Sequence, residues 1–392
     1  MAADKRIAGG GTSLASNPGL RQDLPDHNGR AGIVMRILGS LVVIAIAYLL
    51  FWPVPVNPVA YDPPRAPGFT GDFAVNRVLD QMELISLPDG ELGPEDVAVT
   101  PDGHVYTTSL SGDLFRIDGP EPVRIDTLGG RPLGLRGGPD GALYIADSFR
   151  GLMRWSGPGT LESLVSEIDG KPVVYANNLD VARDGTIYFS NSTDRFDPET
   201  MGGTKPTSVM AIWEQSNTGY VARRDPDGTV KKIAEGFVYT NGVALSPQED
   251  FLLISETGRA RVHRLWLTGE KAGQQEIFFD NLPGYPDNLK AQGDGTYWLA
   301  FASPRVPSEK LMPYPFLRKV LWRLGPLVRP APIRRGMVIQ FDGEGNILRN
   351  LQDPEGRLGI TTSAKKINDT FYVMTLTSPW YARMPAADLP PR

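Results

Sequence analysis

The chain has 392 residues, 41% of them hydrophobic and 22% charged, which suits a globular protein with a real core and excludes a disordered one. Its net charge of −5 argues against nucleic acid as the main partner. It has no cysteine and only His27, His104 and His263, which excludes disulfides and zinc–thiolate sites and leaves a Ser-His-Asp mechanism few bases.

Residues 1–30 are rich in Gly, Ala, Ser, Asn and Pro without apolar period, and read as a disordered arm. Ala31 to Trp52 then supply about the ~20 apolar residues that cross a bilayer. Arg36 near its start can snorkel, and Tyr48 and Trp52 near its far end suit an aromatic belt. Lys5, Arg6, Arg21, Arg30 and Arg36 precede or open the segment, which predicts a cytoplasmic arm and an extracytoplasmic remainder. A cleaved signal peptide is the competing reading, but the arm is too long for an ordinary n-region and no A-x-A site follows. Prolines recur over 53–70, predicting a stiff, extended spacer that reaches to residue 80.

A repeat then sets in. Asp96-Val-Ala-Val-Thr-Pro-Asp-Gly-His-Val-Tyr is a short apolar strand, an Asp-Gly turn and a second apolar strand. The pattern returns from Leu133, Leu179, Val243 and Leu289, with a degenerate sixth copy from Ser363. Each hairpin is followed by a further strand-like stretch, such as 114–118, 152–156 or 262–267, so each unit can supply four strands. Six units at about 40-residue spacing predict an all-β, six-bladed β-propeller over 81–380, with a short tail beyond. Two longer gaps imply insertions after blade-three and blade-five strands. The strand at 82–87 precedes the first unit and can complete the last blade. An open β-sandwich is the alternative, which the regular repeat disfavours.

In a propeller the innermost strands line a central channel. Two positions before the first apolar residue of these strands stand Glu95, Asn177, Asn241 and Asp287, in blades one, three, four and five. Two carboxylates and two amides in register make an all-oxygen donor set, which suits Ca²⁺; zinc and copper prefer His or Cys. Asn and Asp also favour turns before strands, which accounts for one or two of these positions but not for four. Blade two has Arg131-Pro132-Leu133 and blade six Thr361-Thr362-Ser363, so these blades are expected to face substrate instead of metal.

At GPEDVAV (93–99), NNLDVARDGTIYFS (177–190), NGVALS (241–246) and GYPDNLK (284–290) the chain resembles the strictosidine synthase-like, gluconolactonase/senescence-marker and paraoxonase propellers. The N-terminal anchor and the stretch from Arg334 to Gly356 make it most similar to the adipocyte plasma membrane-associated branch. The resemblance covers roughly residues 80–380. It implies Ca²⁺ in the channel, held by Glu95, Asn177, Asn241 and Asp287, with Asn288 as a further candidate. It also implies departures. Residues 131–135 carry no histidine of the paraoxonase dyad, Asn241 stands where gluconolactonases have an aspartate, and 358–366 lacks the late glutamate of plant strictosidine synthases.

The expected chemistry is hydrolysis of esters or lactones, with the ion polarising the carbonyl. Asp287 and Glu95 are the catalytic candidates: Asp287 as general base or nucleophile, Glu95 chiefly as a holder of the ion. Asn178, Arg131, Leu133, Asp147, Glu256 and Thr362 are expected around the substrate or behind the ligands, although a solvated turn is the simpler reading of Asp147 and Glu256. His104 and His263 read as exposed structural residues. Residues 303–336 mix Leu311, Phe316, Leu317, Val320, Leu321 and Leu324 with Arg318, Lys319 and Arg323, which predicts a basic amphipathic helix that lids the channel or lies on a membrane. An apolar lid favours a hydrophobic substrate. The competing class is a non-catalytic binding or scaffold propeller with a structural ion, and a weaker one is a strictosidine synthase-like condensation.

Overall fold

Six antiparallel four-stranded sheets follow one another along the chain and close into a ring. This computed structural model describes residues 10–11 and 27–391, so the arm expected over 1–30 lies largely outside the described residues. The chain divides into two units, Met1–Trp52 and Pro53–Arg392. The first contains helix α1, His27–Phe51, in which Gly32–Phe51 is long and apolar enough to cross a membrane.

The six blades occupy the second unit. Their innermost strands are Ala98–Val99, Pro132–Gly137, Ala176–Val181, Thr240–Leu245, Gly284–Ala291 and Thr361–Ile367. Every residue of the blade-three and blade-four inner strands is buried. These strands have no solvent face, so their sequences show no polar–apolar alternation. Residues Glu83–Ser86 pair with Trp380–Pro385, in the register Glu83↔Arg383 to Ser86↔Trp380. The strand before the first unit therefore completes the last blade, and this one sheet locks the two ends of the propeller chain together. Trp380–Pro385 also carries the propeller past residue 380, where the sequence suggested a tail; Tyr381 is fully buried because it packs in the core between blades six and one.

Neighbouring blades are stapled by buried side chains. Asp96 of blade one accepts from the Leu135 amide of blade two at 2.8 Å, and Asp180 of blade three from the Leu245 amide of blade four at 2.9 Å. The inner strands approach so closely that a Cβ on Gly242 would stand 2.2 Å from the Leu289 amide nitrogen.

Both longer gaps fall between the second and third strands of their blades. The blade-three insertion carries helix α2, Thr204–Glu214, and the blade-five insertion carries helix α3, Pro315–Arg323. The proline-rich segment after residue 53 is extended, as its fixed φ angles dictate, but it is docked on these insertions. The Val59 amide donates to the Glu214 carbonyl at 2.8 Å, the Tyr61 amide to the Met312 carbonyl at 3.2 Å, and Val56 is buried with Trp213, Met312 and Trp322. Strap, α2 and α3 thus form one cap.

Candidate functional site

Glu95, Asn177, Asn241 and Asp287 line one cavity, and all four are almost fully buried. Each belongs to a different blade, so only the closed ring brings them together. Asn177 Oδ1, Asn241 Oδ1 and Asp287 Oδ1 are buried and have no hydrogen-bond partner in the protein. Buried polar atoms of this kind cost on the order of 1–3 kcal/mol each, so three on one cavity wall need an occupant. Two carboxylates and two amides offer oxygen alone, which fits a hard divalent cation. Among the described residues there is no cluster of three or more His, Cys, Asp and Glu that could hold a metal, so an ion here would rest on two carboxylates and two amides.

Burial dominates the electrostatics. It pushes the Glu95 carboxyl up to about 7; the Arg131 guanidinium opposes this and the Asp96 charge adds to it. Burial and the charge of Glu95 raise Asp287 well above the usual carboxylate range, against a hydrogen bond from Asn241. Two carboxylates that resist ionisation side by side lose that resistance when a cation lies between them.

Arg131 and Thr362 do not reach the cavity lining. Arg131 is buried and donates to Glu95 Oε2 at 2.8 Å and to the Ser109 and Pro132 carbonyls. Thr362 Oγ1 donates to the Glu95 carbonyl at 2.6 Å. Blades two and six therefore grip Glu95 from behind, where the sequence suggested substrate contact. Leu133 is buried in the cluster that holds Tyr175 and Tyr239. Asn178 and Asn288 stand one residue past Asn177 and Asp287 and clasp each other, Asn178 Nδ2 donating to Asn288 Oδ1 at 2.9 Å. With its oxygen engaged by Asn178, Asn288 braces Asp287 and does not line the cavity.

Asp147 and Glu256 are not solvated turn residues. Asp147 is fully buried and paired with Arg150 at 2.7 Å. Glu256 is buried, accepts from the Val238 amide at 2.8 Å and pairs with His263 Nε2 at 2.8 Å. His263 is accordingly buried, contrary to the exposed position expected; its partner stands seven residues earlier, on the adjacent strand. His104 is partly exposed beside Asp118.

Three lining residues went unread. Tyr175, Tyr239 and Tyr285 each stand two positions before Asn177, Asn241 or Asp287, in Tyr-Ala-Asn, Tyr-Thr-Asn and Tyr-Pro-Asp. Tyr175 and Tyr239 stand just before their inner strands and Tyr285 near the start of its own, so the repeated spacing itself was a visible signal for an aromatic collar beside Asn177, Asn241 and Asp287. Tyr239 Oη donates to Tyr175 Oη at 2.6 Å, Tyr175 Oη to the Thr204 carbonyl of α2 at 2.9 Å, and Tyr285 Oη to Glu309 at 2.6 Å. Tyr239 holds φ of 60°, a strained left-handed conformation for a bulky residue. Val209, Ile212 and Trp213 of α2 and Val306, Met312 and Pro332 of the second insertion complete the walls. The cavity is thus polar at its base and apolar above, with residues of both insertions in its walls; α3, the helix expected to lid the channel or lie on a membrane, contributes none of its lining.

Two family models match, Strictosidine synthase-like, N-terminal over residues 71–117 and Strictosidine synthase over residues 177–270. The adipocyte plasma membrane-associated protein of Bos taurus is 29% identical over 382 residues, covering 90% of this chain and 88% of that one. A gluconolactonase structure from Xanthomonas campestris superposes with a TM-score of 0.56 at 20% identity, covering 86% of this chain and 98% of its own. A calcium-binding protein, regucalcin, from Agrobacterium tumefaciens superposes with a TM-score of 0.51 at 16% identity, covering 79% and 94%. These matches are spread over the blades that carry Glu95, Asn177 and Asn241, and by them the chain is a six-bladed β-propeller similar to the strictosidine synthase-like proteins.

Proposed function

We propose that this protein is a calcium-dependent hydrolase of hydrophobic esters or lactones. The observation that carries the reading is the set of unpartnered oxygens of Asn177, Asn241 and Asp287, with Glu95, at the base of an apolar-walled cavity. The fold likeness to a gluconolactonase and to a calcium-binding protein supports the same reading.

Glu95, Asn177, Asn241 and Asp287 would hold the ion. A bound Ca²⁺ supplies a Lewis acid for a substrate carbonyl oxygen. Arg131 and Thr362 fix Glu95, so its carboxylate meets the site in one orientation. Asp287 lines the cavity and is placed to take a proton from an attacking water. The tyrosine collar and the lid orient an apolar acyl or ring portion and exclude bulk water. α1 anchors the chain in a single pass, with the basic arm in the cytoplasm and the propeller on the outer side.

The test is hydrolysis of a panel of aryl esters and lactones by the full chain in detergent, with Ca²⁺ and after chelation. Activity lost on chelation and regained with Ca²⁺, at unchanged circular dichroism, is expected. A second reading, a binding propeller with a purely structural ion, is favoured by the positions of His104 and His263, both outside the cavity lining. No turnover on any substrate, with chelation only lowering Tm, would establish that reading instead.

A further inference from the structure

We propose that the outer face of the lid segment 303–336 docks on an anionic lipid bilayer. Helix α3 is inside out. Arg318 is fully buried and donates to the Val59 and Trp213 carbonyls, and Trp322 is buried one turn later. Phe316 and Leu317 on the opposite side are 61% and 40% exposed. A helix with an arginine on its buried face and a phenylalanine on its outer face has an unsatisfied apolar surface.

The exposure is concentrated. Thirteen large apolar side chains are exposed among the described residues of Pro53–Arg392, and six of them lie within residues 314–333: Tyr314, Phe316, Leu317, Leu324, Val328 and Ile333. Charge points the same way. Residues 303–336 hold eight arginines and lysines against one acid, Glu309, a net of +7, or +6 without the buried Arg318, in a chain whose total is −5. Apolar residues within a basic segment match the interface of a bilayer carrying anionic headgroups.

Chain length supplies the third argument. Lys319 Nζ donates to Asn57 at 2.8 Å, and Arg318 binds Val59, so the strap is tied to α3 itself. Only residues 53–55 separate Trp52, the end of the first unit, from the buried Val56. A tether of this length reaches at most about 14 Å when fully extended. If Gly32–Phe51 spans a bilayer, Val56 at the start of the strap is tethered within that length of the helix end. Ala331 and Pro332 line the cavity while Ile333 is exposed, so the docked face and the cavity rim are one piece of chain.

The chain lacks cysteine, so single labels can be placed cleanly. Full-length Leu317→Cys and Leu324→Cys, spin-labelled and reconstituted in phosphatidylcholine vesicles with and without phosphatidylserine, are compared with Val123→Cys on the outer strand of blade one. The expected result is several-fold lower collision with a water-soluble nickel chelate at 317 and 324 than at 123, with stronger protection when phosphatidylserine is present. Equal nickel access at all three positions in both vesicles would overturn the proposal. So would dipolar broadening at 317 that disappears on dilution with unlabelled protein, because a second copy would then cover the face.

Discussion

Two sets of polar side chains sit on the inner strands, in blades three and five at positions three residues apart (Asn177 and Asp180, Asp287 and Lys290), and they behave oppositely. The upper ring holds Glu95, Asn177, Asn241 and Asp287, and three of its oxygens have no protein partner. The lower ring holds Arg136, Asp180, Lys290 and Lys365. There Arg136 pairs with Asp180 at 2.8 Å, and Lys290 pairs with Asp96 and donates to the Leu135 carbonyl at 3.0 Å. Both rings are largely buried and both mix charged with polar contacts. The lower one pairs Arg136, Asp180 and Lys290 within the protein, Lys365 being the exception, and so serves the fold, whereas the upper one leaves three oxygens unpaired, the feature on which the proposed ion site rests.

The comparison can be broken most sharply at Asp287. Asp287→Asn keeps the size of the side chain, and hydrolysis should fall by roughly 10²-fold or more while circular dichroism is unchanged. Retained hydrolysis would remove Asp287 from the chemistry.

A lower-ring change should do the reverse. Lys290→Met leaves Asp96 buried without its cation, and loss of one partner of a buried pair costs about 3–5 kcal/mol. Denaturant unfolding should show that loss, while the calorimetric calcium affinity of the remaining folded protein stays within error.

Asn241→Leu probes the upper ring's incompleteness. It deletes an unpartnered buried oxygen together with the amide that donates to Asp287, so the calcium-free protein should lose no more than about 1–3 kcal/mol. Calcium binding by titration calorimetry should nonetheless weaken at least about tenfold, as expected for loss of one ligand. A large destabilisation of the calcium-free form would mean that the ring supports the fold after all.

The smallest effect is expected at Lys365. Burial, with Arg136 and Lys290 nearby, holds its ammonium well below the usual lysine range. The unfolded chain then binds the proton more tightly than the folded one, so this group's penalty is present at neutral pH and fades as pH rises toward 10.5. Lys365→Met should therefore stabilise the protein near neutral pH, and the gain in urea midpoint should shrink as the solution becomes alkaline. A gain that does not vary with pH would show that Lys365 is already charge-compensated.

Much of the site was legible because strands repeat. One register count across the inner strands located Glu95, Asn177, Asn241 and Asp287, and the same count would have found the tyrosines two positions earlier. Arg131 was misplaced because its partner, Glu95, lies 36 residues away on another blade. His263 was misplaced because burial in a blade depends on which strand covers it.

The Asp-Gly turns, the period of about 40 residues and the apolar inner strands determined a propeller by themselves, since hairpin geometry and strand periodicity are local properties. The apolar run before residue 52 likewise carried its own reading, because crossing a bilayer depends on length and composition. Only the tertiary structure decided what closes over the channel. Asn178 meets Asn288 across 110 residues, Trp213 meets Arg318 across 105, and Val59 meets Arg318 across 259. Contacts at such separations have no signature in spacing, because they exist only once ring closure has brought the blades and their insertions together.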